Sequence, residues 1–219
     1  MSATQLEHLW PPTEPTSPSR ALKFRYTGDG TDLPDFIASL VGIPLVTVRD
    51  VVIGMRGDDT ELVAQLGDFW FHTDATFVPA PPRWMAILVQ EADEGGALDL
   101  LPTEFLDPAR LSALVGYQAQ DGTLTAPALE PVPGVARPGR VRYRQDRMTD
   151  AGNPMALADV HEAVREAAEQ GTVPAGELGP GDCLLLDNWT VLHRRTAFEG
   201  RRVIRRLWLD PAPGHGGGA

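Results

Sequence analysis

The sequence predicts a mainly β protein, a jelly roll or β-sandwich with helices at its periphery. The chain contains about seven short runs rich in β-branched and aromatic residues, and turn signals separate them. Glycine (22 residues) and proline (20 residues) are both abundant, which favours short elements joined by turns. Strands do not alternate regularly with helices, and no glycine-rich phosphate loop is present, so a parallel α/β fold is not indicated.

The predicted strands are bounded by turn residues. The run at 83–92 is almost continuously apolar and lies between Pro81-Pro82 and Gly95-Gly96, as expected of a strand buried on both faces. The strands are predicted at 46–55, 68–77, 83–92, 97–102, 140–148, 181–198 and 201–210. Together these segments would supply the two layers of a jelly roll.

Three helices and two terminal segments complete the predicted organisation. Helices are expected at 32–42, at 103–116 with an interruption at Pro108, and at 157–171. Residues 21–210 would form a single domain, because about 200 residues suffice for one hydrophobic core. Residues 1–20 are proline-rich and are expected to form a mobile arm, and residues 211–219 a flexible tail.

Composition and charge narrow the classes of function. The 219 residues carry a formal net charge of -11, which disfavours binding to nucleic acid. The sequence has no apolar run of about 20 residues and no secretory signal, so we expect a soluble cytoplasmic protein without a membrane partner. The single cysteine, Cys183, excludes an internal disulfide and a cysteine-rich zinc site. Any metal must therefore be held by histidine and carboxylate groups.

The most informative motif is His72-Thr73-Asp74. In a strand, residues i and i+2 project from the same face, so the imidazole and the carboxylate would converge. His193 is predicted at the end of another apolar strand, and two histidines with one carboxylate form the facial triad of non-haem iron(II) oxygenases. Taken alone, the short motif and the strand-end histidine are each more often structural or incidental than functional.

An arginine-rich strand adds to this indication. Arg202 and Arg206 are four positions apart and would face the same side of the strand at 201–210. Buried guanidinium groups require an anionic partner, and an arginine at the bottom of a barrel is well suited to a dicarboxylate. The alternative is a solvated edge strand with no ligand.

Several motifs resemble one enzyme family. HTD at 72–74, EGGALDL at 94–100, LGPGDCLLLDNWTVLHRRTAF at 178–198 and the arginine-bearing strand are similar to the taurine dioxygenase and clavaminate synthase-like group. Its members are Fe(II)- and 2-oxoglutarate-dependent oxygenases built on a double-stranded β-helix, and the resemblance covers residues 65–210.

The resemblance implies a set of ligands and a reaction. Iron would be bound by His72, Asp74 and His193, with 2-oxoglutarate and O2 as cosubstrates. Arg206 would anchor the far carboxylate of 2-oxoglutarate, and Arg202 would lie near the cosubstrate or the substrate. The reaction would remove hydrogen from an unactivated C–H bond of a small metabolite, such as an amino acid or derivative. Hydroxylation, desaturation or cyclisation would follow, with succinate and CO2 as co-products.

Further positions are open to two interpretations. Arg195 either forms a structural ion pair or meets a substrate carboxylate. Arg142 and Arg144 would share one face and are further substrate-anchor candidates, although their alternation fits an exposed ladder better. Leu98 stands where the family usually has a threonine or serine that binds 2-oxoglutarate. Two rival functions therefore stay open, namely a cupin-type metalloenzyme that needs no 2-oxoglutarate and a non-catalytic β-helix that binds a small acid or a protein.

Overall fold

The mainly β class is confirmed by the structure, a computed structural model that describes residues 6–10, 20–55, 65–119, 121–132 and 139–215. In this part of the chain there are fifteen β-strands and three α-helices. All of the strand pairs are antiparallel. Two sheets, of six and four strands, form the layers between which the candidate site lies.

The larger sheet joins the two ends of the described chain. Its strands are β1 (Leu6–Trp10), β2 (Ala21–Arg25), β3 (Leu45–Met55), β5 (Trp84–Ala92), β13 (Asp182–Asp187) and β15 (Arg202–Pro211). They are arranged in the order β1-β2-β13-β5-β15-β3. The central strands β5 and β13 read as continuous apolar runs because both of their faces are covered.

The smaller sheet carries the predicted metal ligands. Its strands are β4 (Phe69–His72), β6 (Leu98–Pro102), β12 (Val173–Gly176) and β14 (Val191–Arg195), in the order β12-β6-β14-β4. Inward-facing side chains of both sheets form one hydrophobic cluster, in which Met85 and Leu184 of the larger sheet pack with Leu100 and Val191 of the smaller one. The two sheets therefore enclose a shared core, as in a jelly roll.

Helices and short strands cover the outer faces of the two sheets, and Leu33 and Ile37 of the first helix pack in one cluster with Leu185 of the larger sheet. The helices are α1 (Leu33–Val41), α2 (Pro108–Leu111) and α3 (Pro154–Gly171). The remaining strands are β7 (Leu114–Ala119), β8 (Gly122–Pro127), β9 (Leu129–Glu130), β10 (Arg140–Val141) and β11 (Met148–Thr149). The apolar stripe of α3, which includes Val160 and Val164, packs in one cluster with Phe71 and Leu192 of the smaller sheet. Asn153 caps α3 by accepting a hydrogen bond from the backbone N–H of Ala156.

Most of the predicted elements are confirmed. The strands predicted at 46–55, 83–92, 97–102 and 201–210 and the helix predicted at 32–42 agree with the structure to within one residue at each end. The helix predicted at 157–171 begins three residues earlier, at Pro154. Segment 181–198 contains two strands rather than one, because a turn follows Asp187.

Three of the predicted elements are shorter in the structure than the sequence indicated. The strand predicted at 68–77 ends at His72. The helix predicted at 103–116 is reduced to a 3-10 turn and to α2, since Pro108 removes a backbone donor and Leu114 already belongs to β7. Segment 140–148 is largely irregular: it contains β10 and a 3-10 turn, and its polar backbone groups pair with loops instead of with a long strand.

The terminal segments differ from the predicted arm and tail where they are described. Leu6–Trp10 of the arm forms β1 and pairs with β2, and the Trp10 ring packs edge-on against Phe105 at 6.2 Å. Residues 1–5 and 11–19 lie outside the described residues, as do residues 216–219 of the tail. Among the described helices, none combines the length and the hydropathy needed to cross a bilayer.

Candidate metal centre

A β-bulge in β4 turns His72 toward the interior. His72 is the partner of His193 on β14, while Phe69 is the partner of Arg195, so β4 carries one extra residue between the two pairs. The bulge brings the rings of Phe69 and His72 together, with centroids 3.9 Å apart. His72 Nδ1 lies 2.8 Å from the carbonyl oxygen of Trp70. A carbonyl only accepts, so Nδ1 carries the proton and Nε2 of the neutral ring keeps its lone pair for a metal.

Asp74 lies just after the end of β4, where hydrogen bonds to two other segments of the chain hold the backbone in place. The N–H of Thr73 donates to the carbonyl of Tyr143 at 2.8 Å, and its hydroxyl donates to the carbonyl of Val141 at 3.1 Å. The side chain of Asn188 accepts from the N–H of Asp74 at 2.7 Å and donates to its carbonyl at 3.2 Å. These contacts fix where the Asp74 side chain leaves the backbone.

His193 completes the group. It lies inside β14, not at the end of a strand as the sequence predicted, and its ring centroid is 4.1 Å from that of His72. The candidate ligand atoms of His72, Asp74 and His193 all lie within 4.8 Å of one another, and all three residues are buried. Nδ1 of His193 is buried and has no hydrogen-bond partner in the described part of the chain. The structure thus brings together the three residues that the sequence indicated.

The charge states of the three side chains suit a cation. Burial lowers the pKa of His193 to about 4, and burial and the neighbouring His193 together lower the pKa of His72 well below its usual value. Burial alone would raise the pKa of Asp74, but Arg206 and the two imidazoles hold it far below its ordinary range. At neutral pH the centre therefore presents two neutral imidazoles and one carboxylate, which is the donor set of non-haem iron(II) sites.

A cavity opens beside this centre. Two of the ligands, His72 and His193, form part of its wall. The other lining residues are Met55, Phe69, Ile87, Leu98, Arg195, Arg202, Ile204 and Arg206. Three guanidinium groups line the cavity, and no carboxylate belongs to its lining within the described ranges, so this part of the cavity suits an anion.

Arg202 and Arg206 both face this cavity, as their spacing on the strand predicted, but their contacts differ. Nη1 of Arg206 lies 3.2 Å from Oδ2 of Asp74. Arg202 is only 2 % exposed and donates to the carbonyl of Gly95 at 3.3 Å, with no carboxylate within ion-pair distance among the described residues. A Cβ atom on Gly96 would lie 2.8 Å from Nη1 of Arg202, so the glycine permits this close approach.

Two of the substrate-anchor candidates occupy different places. Arg195 lines the cavity and donates to the carbonyls of Gln65 and Gly67 at 2.5 and 2.8 Å. Arg144 lies outside the lining of this cavity and pairs with Asp146 at 3.0 Å. The interpretation of Arg142 and Arg144 as an exposed ladder is wrong, because both side chains are buried: the strand expected there does not form.

Sequence reasoning missed Trp208 as a member of the site. Its indole Nε1 donates to Oδ2 of Asp74 at 2.8 Å. Only the arginines of this strand were considered from the sequence. The alternation of side chains that puts Arg202 and Arg206 on one face also puts Trp208 there. Arg142, a substrate-anchor candidate in the sequence, has a different place: it pairs with Glu130 at 3.2 Å and donates to the carbonyls of Thr76, Val78 and Pro79, which no side-chain pattern indicates.

Comparisons with known proteins relate this site to one family. Residues 140–208 match the model of the taurine catabolism dioxygenase TauD, TfdA family, and this match includes His193, Arg202 and Arg206. A trimethyllysine dioxygenase of Meyerozyma guilliermondii is 33% identical over 78 residues, which are 32% of this chain and 20% of that protein. The chain therefore spans about a fifth of the length of this curated relative.

Solved structures show the same fold. The asparagine oxygenase AsnO superposes with a TM-score of 0.59 at 18% identity, over 78% of this chain and 61% of its own. The non-heme iron oxygenase OrfP in complex with Fe and alpha-ketoglutaric acid has a TM-score of 0.55 at 15% identity, over 72% and 55%. The predicted double-stranded β-helix is thereby confirmed. The resemblance that the motifs indicated is confirmed as well, and the strands around His193 relate this chain to the TauD, TfdA family of dioxygenases.

Proposed function

We propose that the protein is an Fe(II)- and 2-oxoglutarate-dependent oxygenase acting on a small metabolite. The observation that carries the proposal is the convergence of His72, Asp74 and His193 beside a cavity lined by three guanidinium groups. The ligand set suits iron(II), and the cavity suits the dicarboxylate that such an iron would require.

The residues of the chain hold and orient the reacting groups. His72 and His193 would offer ring nitrogens to the metal, and Asp74 would offer a carboxylate oxygen. When bound, iron(II) with 2-oxoglutarate and O2 supplies the oxidising power to remove hydrogen from an unactivated C–H bond. Met55 and Ile87 form an apolar part of the wall of the neighbouring cavity.

The far carboxylate of 2-oxoglutarate is better matched to Arg202 than to Arg206. Arg206 already neutralises Asp74 at 3.2 Å, next to the metal ligands. Arg202 is buried without a carboxylate partner in the described chain, and it lines the same cavity as Leu98. A buried guanidinium in this state requires an anion. These contacts support Arg202 as the anchor of the far carboxylate. Arg206 would then contact the end of 2-oxoglutarate that lies near the metal.

A second cavity next to the centre supports a place for the substrate. It shares Phe69 and His72 with the first cavity, and its other lining residues are Asp68, Trp70, Phe71, Gln145 and Asp146. Polar side chains here would orient a molecule that carries both charges, such as an amino acid or derivative. The related proteins named above include an asparagine oxygenase and a trimethyllysine dioxygenase, which supports this substrate class. Arg144, paired with Asp146, would then stand at the edge of the substrate site.

One observation favours a second candidate, a cupin-type metalloenzyme that needs no 2-oxoglutarate. Leu98 lines the cavity and offers no hydrogen bond at the position where the family usually has a hydroxyl. The anionic ligand of the three arginines would then be the substrate itself.

The decisive experiment measures succinate in the presence and absence of 2-oxoglutarate. The protein, loaded anaerobically with Fe(II), is first mixed with 2-oxoglutarate and observed for the visible charge-transfer absorption. A panel of amino acids that perturbs this band identifies the substrate class, and O2 is then added. Succinate that appears only with 2-oxoglutarate supports the proposal, and substrate conversion without it supports the cupin-type enzyme. A protein that binds neither metal nor cosubstrate would be a binding module.

A further inference from the structure

The indole of Trp208 and the carboxylate of Asp74 make a contact that the family resemblance did not indicate. Nε1 of Trp208 donates to Oδ2 of Asp74 at 2.8 Å, and both groups are buried. The other oxygen, Oδ1, lies 3.7 Å from Nε2 of His72. Nη1 of Arg206 lies closer to Oδ2, at 3.2 Å, than to Oδ1, at 3.5 Å. The two oxygens of the carboxylate therefore have different surroundings: Oδ2 is held by the indole and the guanidinium, and Oδ1 is directed at the neighbouring ligand.

We propose that Trp208 is a positioning residue that holds Oδ2 of Asp74 and leaves Oδ1 as the single oxygen for the metal. This inference rests on the proposed metal site. A carboxylate at the end of a strand is free to rotate and to present either or both oxygens. A fixed N–H donor on one oxygen selects one orientation, and such partners of metal ligands typically change metal affinity by about 10- to 100-fold.

The surroundings of Trp208 keep the indole in place. The guanidinium carbons of Arg49 and Arg206 lie 4.9 and 5.2 Å from the centroid of its ring. Its strand, β15, is paired on both sides, with β5 and with β3. An indole packed in this way cannot follow the carboxylate, so the carboxylate must adjust to the indole.

The chain offers a matched control for the loss of an indole N–H. Trp84, on the neighbouring strand β5, is fully buried, and its Nε1 has no hydrogen-bond partner among the described residues. It packs in a different cluster, with Leu207 and Leu209, away from the metal centre. Trp84→Phe therefore removes the same atoms from the same sheet without removing a contact to Asp74.

The test is a titration of the metal-free protein with Co(II), followed by the visible absorption of the bound ion. We expect Trp208→Phe to weaken Co(II) binding by about 10- to 100-fold and Trp84→Phe to leave it unchanged. Wild-type affinity in Trp208→Phe would overturn the proposal for Trp208 alone. Failure of the wild-type protein to bind Co(II) would instead overturn the proposed metal site.

A double-mutant cycle separates positioning from a general structural role. In an Asp74→Ala background the carboxylate is absent, so Trp208→Phe should have no further effect on the weak Co(II) binding that remains. An equal loss of affinity in both backgrounds would mean that Trp208 acts on the fold and not through Asp74, and the proposal would fail. The cycle stays informative even where Trp208→Phe lowers the stability of the protein.

Discussion

His72 and His193 are direct partners across the antiparallel pair of β4 and β14, with ring centroids 4.1 Å apart. Side chains in such a pair are brought within about 5 Å at their Cβ atoms by the ladder itself. Two of the three candidate ligands are therefore positioned by strand register, and a slip of one residue would turn a histidine to the opposite face. Only Asp74 depends on a loop, which explains why its backbone and its carboxylate have so many partners.

Replacing the carboxylate should remove both metal binding and turnover. We expect Asp74→Ala to weaken Co(II) binding by more than about 100-fold, since a directly bound group contributes more than its outer partners do. Succinate formation should cease. Asp99→Asn on β6, whose carboxylate pairs with Arg194 in the same sheet, is the matched control and should bind Co(II) normally. Coupled turnover in Asp74→Ala would contradict the ligand assignment.

The two arginines that face the cavity should differ in their effect on the cosubstrate. Arg202→Ala removes a charge-assisted contact worth about 1.5–3 kcal/mol, so the KM for 2-oxoglutarate should rise roughly 10- to 100-fold. Arg205→Ala is the matched control, because Arg205 lies between these two arginines on β15 and its guanidinium pairs with Asp50. It should leave this KM unchanged. A larger rise in Arg206→Ala than in Arg202→Ala would restore Arg206 as the anchor of the far carboxylate.

A hydroxyl at position 98 should strengthen the binding of 2-oxoglutarate. Leu98→Thr introduces a donor into the cavity, and one neutral hydrogen bond is worth about 1 kcal/mol, or roughly fivefold in the dissociation constant. The charge-transfer band of the anaerobic Fe(II) complex provides the measurement. Leu98→Ala creates space without a donor and should not tighten binding. Equal dissociation constants for both variants and the wild type would show that Leu98 does not face the cosubstrate.

Arg142 should contribute to stability through the loop that follows Asp74. It is 1 % exposed, and it donates to the carbonyls of Thr76, Val78 and Pro79 at 3.1, 2.7 and 2.6 Å. Arg142→Met leaves these acceptors without donors and should lower the free energy of unfolding by about 3 kcal/mol in urea titrations. Arg165→Met on α3, whose partners Glu162 and Glu169 are exposed, should have a much smaller effect. Equal midpoints for the two variants would argue against this role for Arg142.

The sequence was sufficient for the parts of the fold that depend on local pattern. β5, β15 and α1 were located to within a residue because apolar runs and turn residues mark their ends. The ligands could be named because the motif at His72-Thr73-Asp74 and the segment around His193 together resemble those of one enzyme family. The segment at 140–148 could not be predicted, since its backbone groups pair with loops far away in the chain.

The contacts around the ligands were less accessible from the sequence. Trp208, Asn188 and Arg142 act through hydrogen bonds to residues that are remote in the chain, and no periodicity marks such pairs. The bulge in β4 was equally hidden, because one extra residue in a short strand changes no composition signal.

The separation of the ligands along the chain has a consequence for how the molecule matures. His72 and Asp74 emerge long before His193 during synthesis, so a ribosome-bound chain cannot offer the complete ion site until β14 has paired with β4. A cation that binds only the complete site would stabilise the protein only after this last pairing of strands. At 100 times its dissociation constant it would add about 2.7 kcal/mol to stability. Without the ion, the folded protein would be less stable by that amount and would be cleaved more readily by proteases.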